Sequence, residues 1–391
     1  MLPVAIIRYA SAHLVRIQQI TVAPIRITYV IPTLDQSGAE RQLTLLAKNL
    51  PKPDYDVNVI ALNRGGFFQQ ELEAAGIRVD ILQKRFRFDP LTFVRLRKLL
   101  KSQQPDVVQS FLFSANSYIR FPGVCPAGAK IVVSERCVDT WKSGWQLSMD
   151  RRLRSRMTAM TANSESVAEF YRTAVGVDAE RIAVIPNGIP QPTEPSETPT
   201  GLREELGLAE NSKLVGFVGR LAPQKCLKDL IWAFQLLHQV VDDVFLVLAG
   251  DGPERDRLAE FATSVGCRDK VFFLGHRNDA ADVIRQLNLF CLPSSFEGMS
   301  NSLMEAMSSG VPVVVSDIPA NLELVTHEET GLTFPLGKSP EMTRTMARIL
   351  NDSDLAERLQ KSAAEKMKTK HSVEQLVSRH IELYERLTTE N

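Results

Sequence analysis

Short apolar runs alternate with helix-patterned segments along nearly the whole chain, and this restricts the fold to parallel sheets covered by helices. Parallel neighbours need a long crossover, which a helix supplies, and strands buried on both faces read as unbroken apolar stretches. In the first half the runs fall at 26–31, 57–62, 77–82, 106–110, 130–134 and 182–185. A helix is predicted from Gly38, and another from Asp89 as cap with Pro90 at its first position. The pattern then breaks. Pro186, Asn187 and Gly188 are followed by Pro190, Pro192, Pro195 and Pro199 among polar residues, a linker composition. Beyond it the alternation restarts, with strands at 213–219, 244–250, 270–274, 289–293 and 312–316, an edge strand at 331–334, and helices at 227–240 and 253–265. The chain therefore divides into a basic tail (1–24), a first α/β domain (25–188), a linker (189–200), a second α/β domain (201–370) and a last helix (371–391). Each domain reads as a doubly wound parallel sheet, which binds ligands at the carboxyl ends of its strands. Two such sheets face to face enclose a cleft.

Composition removes several function classes. Lys+Arg and Asp+Glu both number 46, so no net charge draws the chain to nucleic acid, and aromatics at 7% offer no stacking platform. Five cysteines, at 125, 137, 226, 267 and 291, form no C-x-x-C pair. An odd, scattered set argues against a disulfide framework or a zinc cage and for free thiols in the cytoplasm. No apolar run reaches the roughly 18 residues that span a bilayer. Residues 1–34 lack Asp and Glu but carry Arg8, Arg16 and Arg26. They read as a tail before the first strand, or alternatively as a membrane-surface helix. Arg85, Arg87, Arg95, Arg97, Lys98 and Lys101 make one basic region, and Arg151, Arg152, Arg154 and Arg156 a second. Such runs are solvated faces or docking points for an anionic membrane surface, where each cation contributes about 1 kcal/mol.

Three motifs carry chemistry. The first strand runs into Ser37 and Gly38 at a helix start, where a small residue and free amides suit a phosphate. In the second half Gly219 and Arg220 end a strand and Lys225 follows before a helix, so a planar fork and a point charge stand above the strand ends. The third is the stretch from Phe296 to Met307. Ser300 caps a helix whose first amides, at Asn301 and Ser302, are unpaired, while Glu297 and Glu305 flank that start seven residues apart.

Together these segments resemble the retaining glycosyltransferases of the GT-B fold, family four. Their E-x7-E element matches Glu297 and Glu305. The Gly-Ala-Glu-Arg at 38–41, the Gly-Arg-x-x-x-Gln-Lys at 219–225, Ile-Pro-Asn-Gly at 185–188, Ala-Gly-Asp-Gly-Pro at 249–253 and Phe-Leu-Gly at 273–275 follow in the family's order. The likeness covers residues 25–385. It implies two Rossmann-like domains, the first binding the acceptor and the second the nucleotide sugar, with the last helix crossing back to the first domain. It implies that Arg220 and Lys225 hold the donor diphosphate and stabilise the leaving group, that Glu305 binds ribose and that Glu297 contacts the transferred sugar. Backbone groups at Ser300, Asn301 and Leu303 would hold phosphate, Gly38 would approach it from the other domain, and backbone near His276 and Arg277 would read the base. Gly219, Gly298 and Met299 complete the donor site. The expected reaction is retaining transfer of a hexose from a UDP-sugar to a saccharide or lipid-linked acceptor in polysaccharide or glycolipid biosynthesis, with no metal or cofactor.

One departure bears on mechanism. Many relatives have histidines after the fourth strand, whereas here that run is Gln-Ser-Phe-Leu-Phe-Ser-Ala-Asn (109–116), and the only histidine before His238 is His13. No first-domain histidine base is available, which disfavours inversion built on one. Other signals carry less. Asp352 and Asp354 form a D-x-D at a helix start, where capping explains them. The 331–338 segment misses P-loop spacing, and no G-x-G-x-x-G supports a dehydrogenase. The alternatives are a nucleotide-sugar epimerase of the same architecture and a non-catalytic nucleotide-sugar-binding module.

Overall fold

The computed structural model describes residues 23–191 and 201–389. Arg8, His13 and Arg16, and the linker prolines Pro192, Pro195 and Pro199, lie outside the described residues, as does the tail read as a membrane-surface helix.

Thirteen strands form two parallel sheets among the described residues. The first contains β1 (Ile25–Ile31), β2 (Tyr55–Ala61), β3 (Arg78–Ile81), β4 (Val107–Phe111), β5 (Lys130–Glu135), β6 (Ala159–Ala162) and β7 (Ile182–Val184), in the order β3-β2-β1-β4-β5-β6-β7. The second contains β8 (Lys213–Val218), β9 (Val244–Ala249), β10 (Val271–Gly275), β11 (Leu289–Leu292), β12 (Val313–Ser316) and β13 (Leu332–Phe334), in the order β10-β9-β8-β11-β12-β13. Both orders reverse beside the first strand of the sheet, which opens a crevice at β1/β4 and at β8/β11.

Strand periodicity builds a core on each face of the first sheet. Ile27, Tyr29 and Ile31 pack with Leu43 and Leu46 of helix Gly38–Asn49, while Val30, Ile60 and Val108 pack with Leu96, Leu100 and Tyr118 on the other face. The helix Val373–Thr389 follows the second domain in sequence yet packs on the first sheet. Leu376, Leu383 and Tyr384 join the β1 core, and the Tyr384 hydroxyl meets Tyr29 Oη at 3.0 Å and Gln109 Oε1.

Strand ends deviate from the predicted runs by one or two residues. The strand that the sequence reading missed is β6. Its Ala-Met-Thr-Ala is too short and too weakly apolar to stand out beside Arg151–Arg156, yet it is fully buried between β5 and β7. Capping follows residue type at two helices and departs from it at a third. Asp89 accepts from Leu91 N at 3.0 Å and Asp352 from Leu355 N at 2.9 Å, but Ser37 gives no cap bond and instead donates its hydroxyl to the buried Glu40 carboxylate. A buried carboxylate has the stronger claim on that hydroxyl.

Candidate active site

The carboxyl ends of the two sheets face each other across a cleft of about 760 Å³, within the range of small-molecule sites. On the second domain its wall begins where β8 ends. Gly219 N donates to Ala249 O at 2.9 Å, and Gly250 N donates to Gly275 O at 2.7 Å. Gly250 has φ +129°, and a Cβ there would lie 1.9 Å from the Gly219 carbonyl oxygen. Only glycine allows these turns to cross, and the crossing presents Arg220 at the cleft, exposed and without an ion-pair partner among the described residues. Next, the 3-10 turn Pro223–Lys225 is stitched to the β11 loop by Ser295 N donating to Gln224 O at 2.9 Å. This fixes Lys225, whose ammonium pairs with Glu297; Ser294 Oγ donates to the same carboxylate at 2.6 Å. Both partners are largely buried, with side chains 13% and 8% exposed.

The helix Asn301–Ser308 starts in the middle of this wall. Ser300 Oγ caps it by accepting from Leu303 N at 3.4 Å. The amides of Asn301 and Ser302 remain as donors at the positive end of the helix, beside Arg220 and Lys225. Met299, Ser300, Asn301 and Glu305 line the cleft with Gly38, Gly219 and Arg277. Two of the predicted donor-site residues do not face it. Leu303 is buried in the second-domain core with its amide engaged by the cap, and Gly298 packs against the first domain, where a Cβ would meet Arg136 O at 2.1 Å. The Arg277 guanidinium is held by Glu205 at 2.7 Å and Asp279 at 2.6 Å, so what it offers a ligand is backbone.

The first domain contributes more than the sequence reading assigned to it. Arg41 crosses the cleft to pair with Glu305. Burial pushes the Glu305 carboxyl upward, and the Arg41 charge opposes that. Gln42 grips Gly188 through both backbone groups, at 2.8 and 2.9 Å, and Asn187 Nδ2 donates to Met299 O at 3.1 Å and Asn301 Oδ1 at 2.7 Å. Asn301 Nδ2 in turn donates to Gly38 O at 3.1 Å, and a Cβ on Gly38 would sit 3.2 Å from that nitrogen. Arg41 and Asn187 stand in motifs that the sequence reading quoted without roles. Arg136 and Asn163, also on the cleft, gave no sequence signal.

Gln109, Ser110 and Asn116 of the run 109–116 enter a buried polar network and do not line the cleft. Ser110 Oγ donates to Asn116 Oδ1 at 2.6 Å, and Asn116 Nδ2 to Glu135 Oε1 at 2.9 Å. Burial raises Glu135 to about 7 despite the nearby Lys142. Among the described residues His276 is the histidine that lines the cleft, and it comes from the second domain. No group of three or more potential metal-ligating side chains occurs among the described residues.

Comparison with known proteins agrees with this geometry. Residues 36–191 match the family model described as Glycosyltransferase Family 4, and residues 200–366 match that of Glycosyl transferases group 1. The UDP-Gal:alpha-D-GlcNAc-diphosphoundecaprenol alpha-1,3-galactosyltransferase of Escherichia coli is 25% identical, over 82% of this chain and 86% of that protein. The lipopolysaccharide core biosynthesis glycosyltransferase LpsD of Rhizobium meliloti (strain 1021) is 24% identical, over 90% of this chain and 96% of that protein. Among solved structures, Anabaena Alr3699/HepE in complex with UDP-glucose superimposes with a TM-score of 0.80 at 25% identity, covering 92% of this chain and 99% of that one. Two facing parallel-sheet domains, a capped helix start between Glu297 and Glu305, and family models that together span most of the sequence lead to one assignment: the chain belongs to the family-four glycosyltransferases of the GT-B fold.

Proposed function

We propose that this glycosyltransferase works with retention of configuration, moving a hexose from a UDP-sugar to a saccharide or lipid-linked acceptor in polysaccharide or glycolipid assembly. The observation that carries this reading is the convergence of the free amides at Asn301 and Ser302, Arg220, Lys225 and two buried carboxylates on one cleft. The helix start and the two cations take the diphosphate and the negative charge that grows on it as the glycosidic bond breaks, the work a metal does in other transferases. Glu305 accepts from the ribose hydroxyls and Glu297 from the hydroxyls of the transferred sugar, each already oriented by a cation. Backbone at Arg277 reads the base. Retention is supported by the lack of a first-domain histidine on the cleft: the leaving phosphate oxygen takes the proton of the acceptor hydroxyl as that hydroxyl attacks from the same face. UDP and UDP-glucose complexes of Alr3699/HepE support the choice of donor. Sugar-nucleotide chemistry and five free cysteines fit the cytoplasm.

Membrane docking is proposed for the acceptor-side domain. Phe86, Phe88, Trp141 and Trp145 are exposed, Phe88 and Trp145 meet edge to face, and Arg87 lies over the Trp145 ring at 4.3 Å. Arg87 and the other basic residues of 85–101 and 151–156 belong to the same domain, so rings and cations would enter an anionic interface together. No described helix is long and apolar enough to cross a membrane.

The test of the reaction is transfer from UDP-glucose or UDP-galactose to a membrane extract, with the product anomer assigned by NMR. Lys225→Ala is expected to lower turnover by roughly 10²–10³-fold, the usual effect of removing one group that stabilises developing charge. Unaltered turnover in Lys225→Ala, or a product of inverted configuration, overturns the mechanism. Appearance of an epimer of the UDP-sugar without acceptor would favour an epimerase.

A further inference from the structure

Arg136 follows β5 and lines the cleft, and its guanidinium donates to the Asn187 side chain. Among the described residues no carboxylate pairs with it. Burial alone lowers its pKa to about 10, so no nearby negative charge offsets its desolvation. The other cleft cations differ. Lys225 has Glu297, Arg41 has Glu305, Arg277 has Glu205 and Asp279, and Arg220 is exposed to water. Arg136 is half-buried at the cleft wall, and a cation partly withdrawn from water without an anion is costly; such sites are kept where a ligand supplies the charge.

A second, independent feature stands beside it. Asn163 is 1% exposed and lines the same cleft. Its Nδ2 donates to the Arg136 carbonyl oxygen at 3.1 Å, which fixes the amide, and its Oδ1 is buried with no partner. That oxygen lies next to Gly298, where a Cβ would come within 2.8 Å of it. The loop after β5 pairs with the same segment: Val138 N donates to Glu297 O at 3.2 Å, and Cys137 forms a bridge with Gly298. The Arg136 carbonyl oxygen and a lone hydrogen-bond acceptor thus border the backbone beside the carboxylate assigned to the transferred sugar, while the Arg136 guanidinium reaches Asn187 on the same cleft.

We infer that Arg136 and Asn163 form an acceptor subsite for a phosphorylated saccharide, the phosphate on the Arg136 guanidinium and a hydroxyl donating to Asn163 Oδ1. This rests on the glycosyl-transfer reading above and names the chemical class of the acceptor. The cation is the fork-shaped one that suits phosphate oxygens, and an oxygen that only accepts selects a hydroxyl. Both residues belong to the first domain and line the cleft whose opposite wall carries the proposed diphosphate cradle.

The experiment is calorimetric titration of inorganic pyrophosphate, and separately of glucose 1-phosphate and glucose, into protein saturated with UDP. Arg136→Gln keeps a donor for Asn187 but removes the charge. It is expected to weaken pyrophosphate and glucose 1-phosphate at least tenfold and to leave the Kd for UDP within twofold. Arg136→Lys should retain most of the affinity. Asn163→Ala should weaken glucose 1-phosphate several-fold and leave pyrophosphate unchanged. The thermal midpoint of Arg136→Gln should equal or exceed that of the wild type, because an uncompensated charge has gone; a purely structural arginine would lower it. Unchanged pyrophosphate binding in Arg136→Gln overturns the subsite, and so does an equal loss of UDP affinity, which would place Arg136 on the donor. Wild-type protein that binds pyrophosphate through Arg136 but no UDP would overturn the donor reading and leave the subsite standing.

Discussion

Glu305→Gln separates what the cleft does for its ligand from what it does for the fold. Glu305 is 9% exposed, and its carboxylate pairs with an Arg41 whose side chain is 35% exposed. Burial raises its pKa, so the ionised form is disfavoured in the folded protein. A carboxyl raised in the folded state contributes stability below its unfolded pKa and loses it as pH rises, so at neutral pH the ionised group is a cost that Arg41 offsets in part. Glutamine removes both. The lost pair contributes at most about 1 kcal/mol with one partner this exposed, and the relieved desolvation is of the same order and opposite sign. The thermal midpoint should therefore stay within about 3 °C of the wild type at pH 7. Ligand binding behaves differently. A carboxylate that accepts from ribose hydroxyls makes charge-assisted bonds of about 1.5–3 kcal/mol, and an amide oxygen recovers little of that. At 1.4 kcal/mol per tenfold, the Kd for UDP should rise roughly 10- to 150-fold. Calorimetry with UDP and with uracil as a ribose-free control reads this directly: the uracil signal should not change. A UDP affinity within twofold of the wild type, with the protein folded, would refute the placement of ribose on Glu305.

The remaining predictions concern the scaffold. Gly250→Ala places a Cβ 1.9 Å from the Gly219 carbonyl oxygen at φ +129°, so it should cost about 3 kcal/mol or more in chemical denaturation and abolish UDP binding by displacing Arg220. His380 is 1% exposed, with Nδ1 on Leu376 O at 2.8 Å and a partnerless Nε2, and burial holds its pKa at about 4. A base depressed in the folded state leaves stability intact above its unfolded pKa of about 6.5 and erodes it as pH falls toward 4, by about 3 kcal/mol. Since His371 is also lowered to about 4, His380→Leu should make the loss measured by denaturant titration between pH 6.5 and 4 shallower without removing it; an unchanged slope would count against a neutral buried His380. Trp145→Ala should weaken binding to phosphatidylglycerol vesicles in a flotation assay, and wild-type binding should fall with salt; salt-independent binding would argue against the basic surround.

The alternating strands were legible because a parallel strand covered on both faces leaves a continuous apolar run, and because turn and cap residues such as Asp89 and Asp352 act within three residues of their helices. What failed to show was whatever depends on residues far apart in sequence. Arg41 and Glu305 lie 264 positions apart, and Asn187 and Asn301 are 114 apart. No local pattern announces either contact. The β6 strand was hidden for a different reason: its burial comes entirely from its neighbours, so it needs little apolar character of its own. Leu303 and Gly298 are placed at the site by the motif alone, and in the fold Leu303 N lies 3.4 Å from the capping Ser300 Oγ while Gly298 packs against Arg136 O.

The arrangement of charge explains why the two domains can meet without a ligand and still favour one. Each buried carboxylate on the cleft has its own cation, Lys225 within the second domain and Arg41 across the gap. Neutral amides add contacts at the hinge, Gln42 with Gly188 and Asn187 with Met299 and Asn301, while the Glu323 carboxylate accepts from Glu165 N at 2.8 Å and Ser166 N at 2.9 Å elsewhere between the domains. The amide contacts hold geometry without adding net charge, and Arg220 and Arg136 are left as cations that nothing in the described chain neutralises. Arg220 follows β8 of the second domain and Arg136 follows β5 of the first, and both line the cleft. If the donor diphosphate takes Arg220 and a phosphate-bearing acceptor takes Arg136, as proposed above, each substrate brings the anion for one of them. Initial-rate kinetics should then show pyrophosphate competing with the acceptor at saturating UDP-sugar, whereas inhibition that added acceptor does not relieve would show that the two cations do not divide the substrates between them.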